Sequence, residues 1–84
     1  MSRQAVGRYI VIDSEICHGK PTFNGTRIMV ADVLEMVATG RDLEGISKAW
    51  GGKVPVEAIA EAVWLSRRAF LEHAQEYIGD NIPA

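Results

Sequence analysis

Val30-Ala31-Asp32-Val33-Leu34-Glu35-Met36-Val37-Ala38-Thr39-Gly40 is the stretch over which the apolar period of this chain changes. Val30, Val33, Leu34, Val37 and Ala38 fall on one stripe at helical spacing, and the stretch closes on a glycine, a common stop just past a helix C-terminus. The spacing predicts a helix over 30–39. Downstream the helical period continues, whereas upstream it gives way to a β-branched run and turn residues. The chain therefore reads as mainly α behind a small β element.

Moving toward the C-terminus, Asp42 suits an N-cap and Glu44 suits the positive end of a helix, ahead of Leu43, Ile46, Ala49 and Trp50 on one face. A second helix over 43–50 ends at Gly51-Gly52. Pro55 is tolerated at the opening of a third helix, with Glu57 in its first turn and apolar residues at Ile59, Ala62, Val63 and Phe70. This helix is predicted over 55–78, reaching Tyr77 or Ile78 with Gly79 as its stop. It carries a second apolar edge, Trp64, Leu65 and Leu71, and a helix apolar on more than one side needs more than one surface to bury it. Either the β element packs there, or the edge is an interface with a second copy or another protein. Helix, short helix, glycine turn and longer helix make the outline of a three-helical helix-turn-helix bundle.

Moving toward the N-terminus, Tyr9-Ile10-Val11-Ile12 is aromatic and β-branched, as a buried strand is, and stops at the turn formers Asp13-Ser14. Gly19, Pro21 and Gly25 punctuate the next segment too often for a helix. Thr22-Phe23 and Thr26-Arg27-Ile28 are short enough to return as strands about a turn at Asn24-Gly25. The β element over 8–29 is accordingly predicted as a hairpin within a single domain, 1–84.

At 84 residues and 9.2 kDa the chain has room for one small core, which leans readily on oligomerisation for stability. With 48% hydrophobic and 24% charged residues it lies outside the regime of disorder. A net charge of −2 excludes a sequence-wide grip on nucleic acid but not a local basic face. Residues 1–29 hold four cations against two carboxylates, so the positive charge gathers at the N-terminus. Cys17 is the only cysteine, which rules out an internal disulfide. The opening Met1-Ser2-Arg3-Gln4 lacks a signal-peptide core and no apolar run approaches a membrane span of about 20 residues. The expectation is a cytoplasmic protein without membrane attachment.

A DNA-reading helix needs polar or basic side chains near its N-terminus, and the third helix offers Glu57, Ala58, Ala60 and Glu61 instead. The nucleic-acid-binding candidates are Arg3, Arg8, Lys20 and Arg27, on or beside the β element, with Arg67 and Arg68 placed for backbone phosphate or for solvated pairing with Glu61 and Glu72. Cys17-His18 invites a catalytic or metal reading, but only His73 remains to complete such a site, so no catalytic residue, metal or cofactor is assigned and an enzyme is not expected. Gly19-Lys20-Pro21 with Gly25-Thr26-Arg27 lacks the spacing of a phosphate-binding loop. A structural role fits it better: Gly25 for a backbone shape, Thr26 for satisfying backbone groups, and Arg27 for pairing with a carboxylate, Asp13 or Glu15 first, or with carbonyls at a helix C-terminus.

The phrase Gly19-x-Pro21-x-x-x-Gly25-Thr26-Arg27-Ile28-x-Val30, preceded by Ile12-Asp13 and Ile16 and followed by a helix ending in Gly40, resembles domain-of-unknown-function family 433. The likeness runs from about Tyr9 to Ser66, with Leu43, Ile46, Trp50, Val54, Ile59, Ala62 and Leu65 at the family's later apolar positions. It departs at Ser14 and Met29, where proline is common, and by one extra residue in the Gly51-Gly52-Lys53 turn. The resemblance implies a homeodomain-like tri-helical fold and an antitoxin role: a homodimer that blocks a PIN-like ribonuclease toxin and represses its own operon by binding DNA. The alternatives are a stand-alone DNA-binding module and an oligomeric scaffold without DNA binding.

Overall fold

The computed structural model describes residues 3–78, and the expected stop at Gly79 lies outside them. Three strands precede three helices: β1 Arg3–Val6, β2 Ile10–Asp13, β3 Thr22–Phe23, α1 Val30–Ala38, α2 Leu43–Ala49 and α3 Val56–Glu72. The chain is mostly helical, with a small antiparallel sheet at its N-terminus in the order β1-β2-β3. Among the described residues no helix is long and apolar enough to cross a membrane.

The sheet corrects the expected hairpin. β1 pairs with β2 in the register Arg3↔Asp13 through Val6↔Ile10, so the tight connection runs through Gly7 and the element begins before residue 8. Arg3-Gln4-Ala5-Val6 carries no β-branched run, because β1 is an exposed edge whose side chains contribute little to the core. β2 supplies the apolar face through Ile10 and Val11 and pairs with β3 as Ile10↔Phe23 and Val11↔Thr22. Thr26-Arg27-Ile28 forms no strand; beyond Phe23 only the single bridge Thr22↔Met29 continues the pairing.

The helices follow from their caps. At the end of α1, the Gly40 N–H donates to the Val37 carbonyl at 3.0 Å and the Arg41 N–H to Met36 at 3.4 Å, the paired bonds of a Schellman stop. Asp42 caps α2 as its side chain suggested, with Oδ1 accepting from the Gly45 N–H at 2.6 Å. The end of α2 repeats the Schellman pattern through Gly51 N–H to Lys48 and Gly52 N–H to Ser47. Pro55 takes the N-cap position of α3.

The core is built from Ile10 and Phe23 of the sheet, Val30 and Val33 of α1, Ile46 of α2, Val54 of the turn, and Ala58, Ile59 and Ala62 of α3. All buried residues of α3 therefore lie in its first half. Val63 and Phe70, expected on the core stripe, are exposed: Val63 is rotated about 100° from Ala62, and Phe70 lies two turns past the last buried residue. The second half of α3 projects from the core, in keeping with a radius of gyration of 14.1 Å against about 12 Å for a compact chain of this length. α3 stops at Glu72 rather than continuing to Tyr77 or Ile78. His73 leaves helical geometry at φ −117° and ψ 20°, and a tighter 3-10 turn over Ala74–Tyr77 follows, fastened by His73 Nδ1 to Glu76 Oε2 at 2.6 Å and by stacking of Phe70 on Tyr77.

Candidate functional site

The segment between β2 and α1 is organised around Thr26. Its N–H and hydroxyl both donate to the Phe23 carbonyl, at 3.0 and 2.8 Å, while the same hydroxyl oxygen accepts from the Ile28 N–H at 2.9 Å. The Phe23 N–H donates to the Ile28 carbonyl, and the Asn24 N–H to the Tyr9 carbonyl at 2.7 Å. Gly25 completes the turn at φ +80°, and a Cβ there would meet nothing within 4 Å, so glycine serves the backbone shape alone. The Pro21 carbonyl receives the Val30 N–H and ties the segment to the start of α1. Gly19 closes a left-handed turn that also holds Cys17 at φ +50° and His18 at φ +56°. Gly19, Pro21, Gly25 and Thr26 thus shape the backbone, and Arg27 is displayed at its surface.

Arg27 does not pair with Asp13 or Glu15. Asp13 Oδ1 accepts the Glu15 N–H at 2.9 Å, and the Arg27 guanidinium makes no ion pair among the described residues. It lines two grooves, one on each side of the turn. The larger, about 700 Å³, runs between the turn and the α2–α3 connection, where Trp50 and Lys53 face Arg27 and Asp32. The smaller, about 330 Å³, carries Arg3, whose guanidinium donates to the Asn24 side-chain oxygen. Lys53 went unnoticed in the sequence because only the fold carries the Gly51-Gly52-Lys53 turn to the Arg27 wall; the glycine pair was the one available signal.

Of the six basic candidates, Arg3 and Arg27 line one groove. Lys20 is exposed behind the left-handed turn, and the Arg8 guanidinium lies 5.6 Å over the Tyr9 ring. Arg67 lies 5.4 Å over the Trp64 ring, and Arg68 pairs with Glu72 at 3.3 Å on an exposed face. Cys17 Sγ is 3.5 Å from the Arg27 carbonyl oxygen, whereas His73 lies past the end of α3 with Glu76 as its partner.

The second apolar edge of α3 divides. Leu65 is half-buried and packs against the core, and it lines one groove with Val6 and Ile10 of the sheet. Trp64 and Leu71 are 65% and 59% exposed and join Val63 and Phe70 on one stripe, with Arg67 between them. The Phe70–Tyr77 stack, centroids 5.7 Å apart, extends this stripe into the terminal turn. Trp, Phe, Tyr, Leu and Arg with little Lys or Glu is the composition of an interface core rather than of a solvated helix face.

Comparison with known proteins places this geometry. Among curated proteins none matches the chain. Among solved structures, the crystal structure of Rv2018 from Mycobacterium tuberculosis is similar at 28% identity and a TM-score of 0.57, over 64% of this chain and 24% of that one. The chain spans about a quarter of that protein's length. The family model described as protein of unknown function, DUF433, matches residues 10–63. That span holds β2, the Thr26 turn, α1, α2 and the buried residues of α3, and it ends one residue past Ala62, the last of them. On this match the chain belongs to the DUF433 family.

Proposed function

We propose that this chain is a cytoplasmic, antitoxin-like regulator without enzymatic activity, which holds a PIN-like ribonuclease through the projecting half of α3. The observation that supports this reading is the stripe Val63, Trp64, Phe70, Leu71 and Tyr77, built of large apolar side chains that stay exposed even with Arg67 over Trp64 and Phe70 stacked on Tyr77. Leaving so much aromatic surface in water is costly, and a partner that buries it recovers the hydrophobic free energy of each ring. Trp64 under Arg67 supplies the aromatic and arginine anchors that dominate binding energy at protein interfaces. Co-expression with the product of the adjacent gene tests the reading. The two proteins co-purify and the toxicity of the neighbour is relieved; absence of both effects would refute it.

A second reading, a stand-alone DNA-binding module, is favoured by Arg3, Arg27 and Lys53 around one turn. In this reading α2, the Gly51-Gly52 turn and α3 form a helix-turn-helix of homeodomain or winged-helix type. α3 is then not the base reader, since Glu57 stands in its first turn and Ala58 and Ile59 are buried, and the cations of the Thr26 turn meet the phosphates instead. A gel shift on the upstream DNA that weakens steeply with salt, and weakens further on charge reversal at Arg27, supports it; affinity indifferent to both excludes it.

A further inference from the structure

We propose that the groove between the Thr26 turn and the α2–α3 connection binds a nucleoside phosphate, its base stacked on Trp50 and its phosphate held by Arg27 and Lys53. The groove, about 700 Å³, falls within the range of small-molecule sites. Trp50 spends its one polar atom elsewhere: Nε1 donates to Met36 Sδ at 3.2 Å, which sets the ring plane and leaves an aromatic surface as its contribution to the groove wall. Arg27 and Lys53 are exposed, and neither enters an ion pair among the described residues. An aromatic surface beside cations held in no ion pair is the donor set by which proteins hold unstacked bases and their phosphates.

Two further features give the site direction. The N–H groups of Gly25 and Arg27 have no acceptor among the described residues, and both residues line this groove. The turn that carries them is already ordered by the Thr26 hydroxyl, so little is lost in fixing Arg27 on binding. Asp32, in the first turn of α1, is the one carboxylate on the wall. It repels phosphate and accepts hydrogen bonds, which turns the phosphate toward Arg27 and Lys53 and favours bases with an exocyclic amino group. This site uses none of the stripe residues of α3 and stands apart from the ribonuclease reading. It also goes beyond the duplex-binding reading, because a base within a duplex cannot stack on Trp50.

The test uses the Trp64→Phe variant, in which Trp50 is the only tryptophan. Adenosine monophosphate, single-stranded hexadeoxyadenylate and the same sequence as a duplex are titrated while Trp50 fluorescence is followed. Quenching by the hexamer is expected. Quenching by adenosine monophosphate as well makes the ligand a free nucleotide, and quenching by the hexamer alone makes it a strand; either supports the site. Replacing Arg27 and Lys53 by glutamine weakens hexamer binding by about tenfold or more and flattens its salt slope by roughly 1.4, the loss of two single-strand phosphate contacts. Trp50→Phe keeps most of the affinity, measured by anisotropy of a labelled hexamer, whereas Trp50→Leu loses about tenfold. Both substituted arginine and lysine positions are exposed, so that variant remains decisive if Trp50→Leu fails to fold. No quenching by adenosine monophosphate or by the hexamer, a duplex that binds more tightly than the hexamer, or an affinity unmoved at Arg27 and Lys53 overturns the proposal.

Discussion

The backbone N–H of Tyr9 donates to Glu61 Oε1 at 2.8 Å, joining the β1–β2 turn to α3 across 52 residues of chain. The neighbouring Arg8 N–H donates to the other carboxylate oxygen at 2.7 Å, so one side chain satisfies two turn amides. Gly7 makes room for it, since a Cβ there would lie 2.7 Å from the carboxylate, and its φ of +66° disfavours any other residue.

Loss of this clamp is expected to cost stability without unfolding the core. Glu61→Ala removes two charge-assisted hydrogen bonds and destabilises the chain by about 2 kcal/mol in urea denaturation. Gly7→Ala carries the left-handed cost of roughly 1–2 kcal/mol and the displacement of Glu61 besides. The two are coupled: in the Glu61→Ala background the second component disappears, and a double-mutant cycle that finds strict additivity contradicts the clamp.

Gly25→Ala isolates the conformational component. Its φ is +80° and no atom approaches the site, so alanine costs about 1 kcal/mol and asparagine less, because asparagine tolerates this region. Equal losses for the two variants in thermal denaturation would mean that contacts and not backbone shape select glycine here.

Thr22 is fully buried and its hydroxyl has no hydrogen-bond partner among the described residues. Thr22→Val keeps the shape and removes an unsatisfied polar group, so the chain gains about 1 kcal/mol and melts roughly 4–8 °C higher. A lower melting temperature would show that the hydroxyl is satisfied in solution. Thr26 gives the opposite result: Thr26→Val breaks the bonds to Phe23 and Ile28 and destabilises by about 1–2 kcal/mol.

The helices were legible in the sequence because their caps are local: Asp42, Gly40 and the Gly51-Gly52 pair act within a few residues of their own helix. The role of Thr26 could be read for the same reason. β1 was not legible, since an exposed edge strand such as Arg3–Val6 needs no apolar alternation and is defined only by pairing with β2. The partition of α3 was half visible. Trp64, Leu65 and Leu71 stood out as a second edge, but which of them is covered depends on tertiary packing: Leu65 meets the core, and Trp64 and Leu71 stay exposed. Lys53 and Arg27, 26 positions apart, become neighbours on one groove only through the packing of α1, α2 and the sheet.

The family match ends at Val63, which is also the first residue of the exposed stripe. The stripe lies outside the buried core, and variants in it spare the core. Val63→Ser, at 39% exposure, changes the urea midpoint by less than the Thr26→Val substitution does. A larger loss at Val63 would place it in the core.

The measurement that bears most directly on the account is the affinity of the chain for the purified product of the adjacent gene, compared with that of the Trp64→Glu, Leu71→Glu double variant. Two anchors worth about 2 kcal/mol each predict at least about a hundredfold weaker binding, with an unchanged melting temperature because neither side chain is buried. Equal affinity of the variant and the original chain would contradict the account.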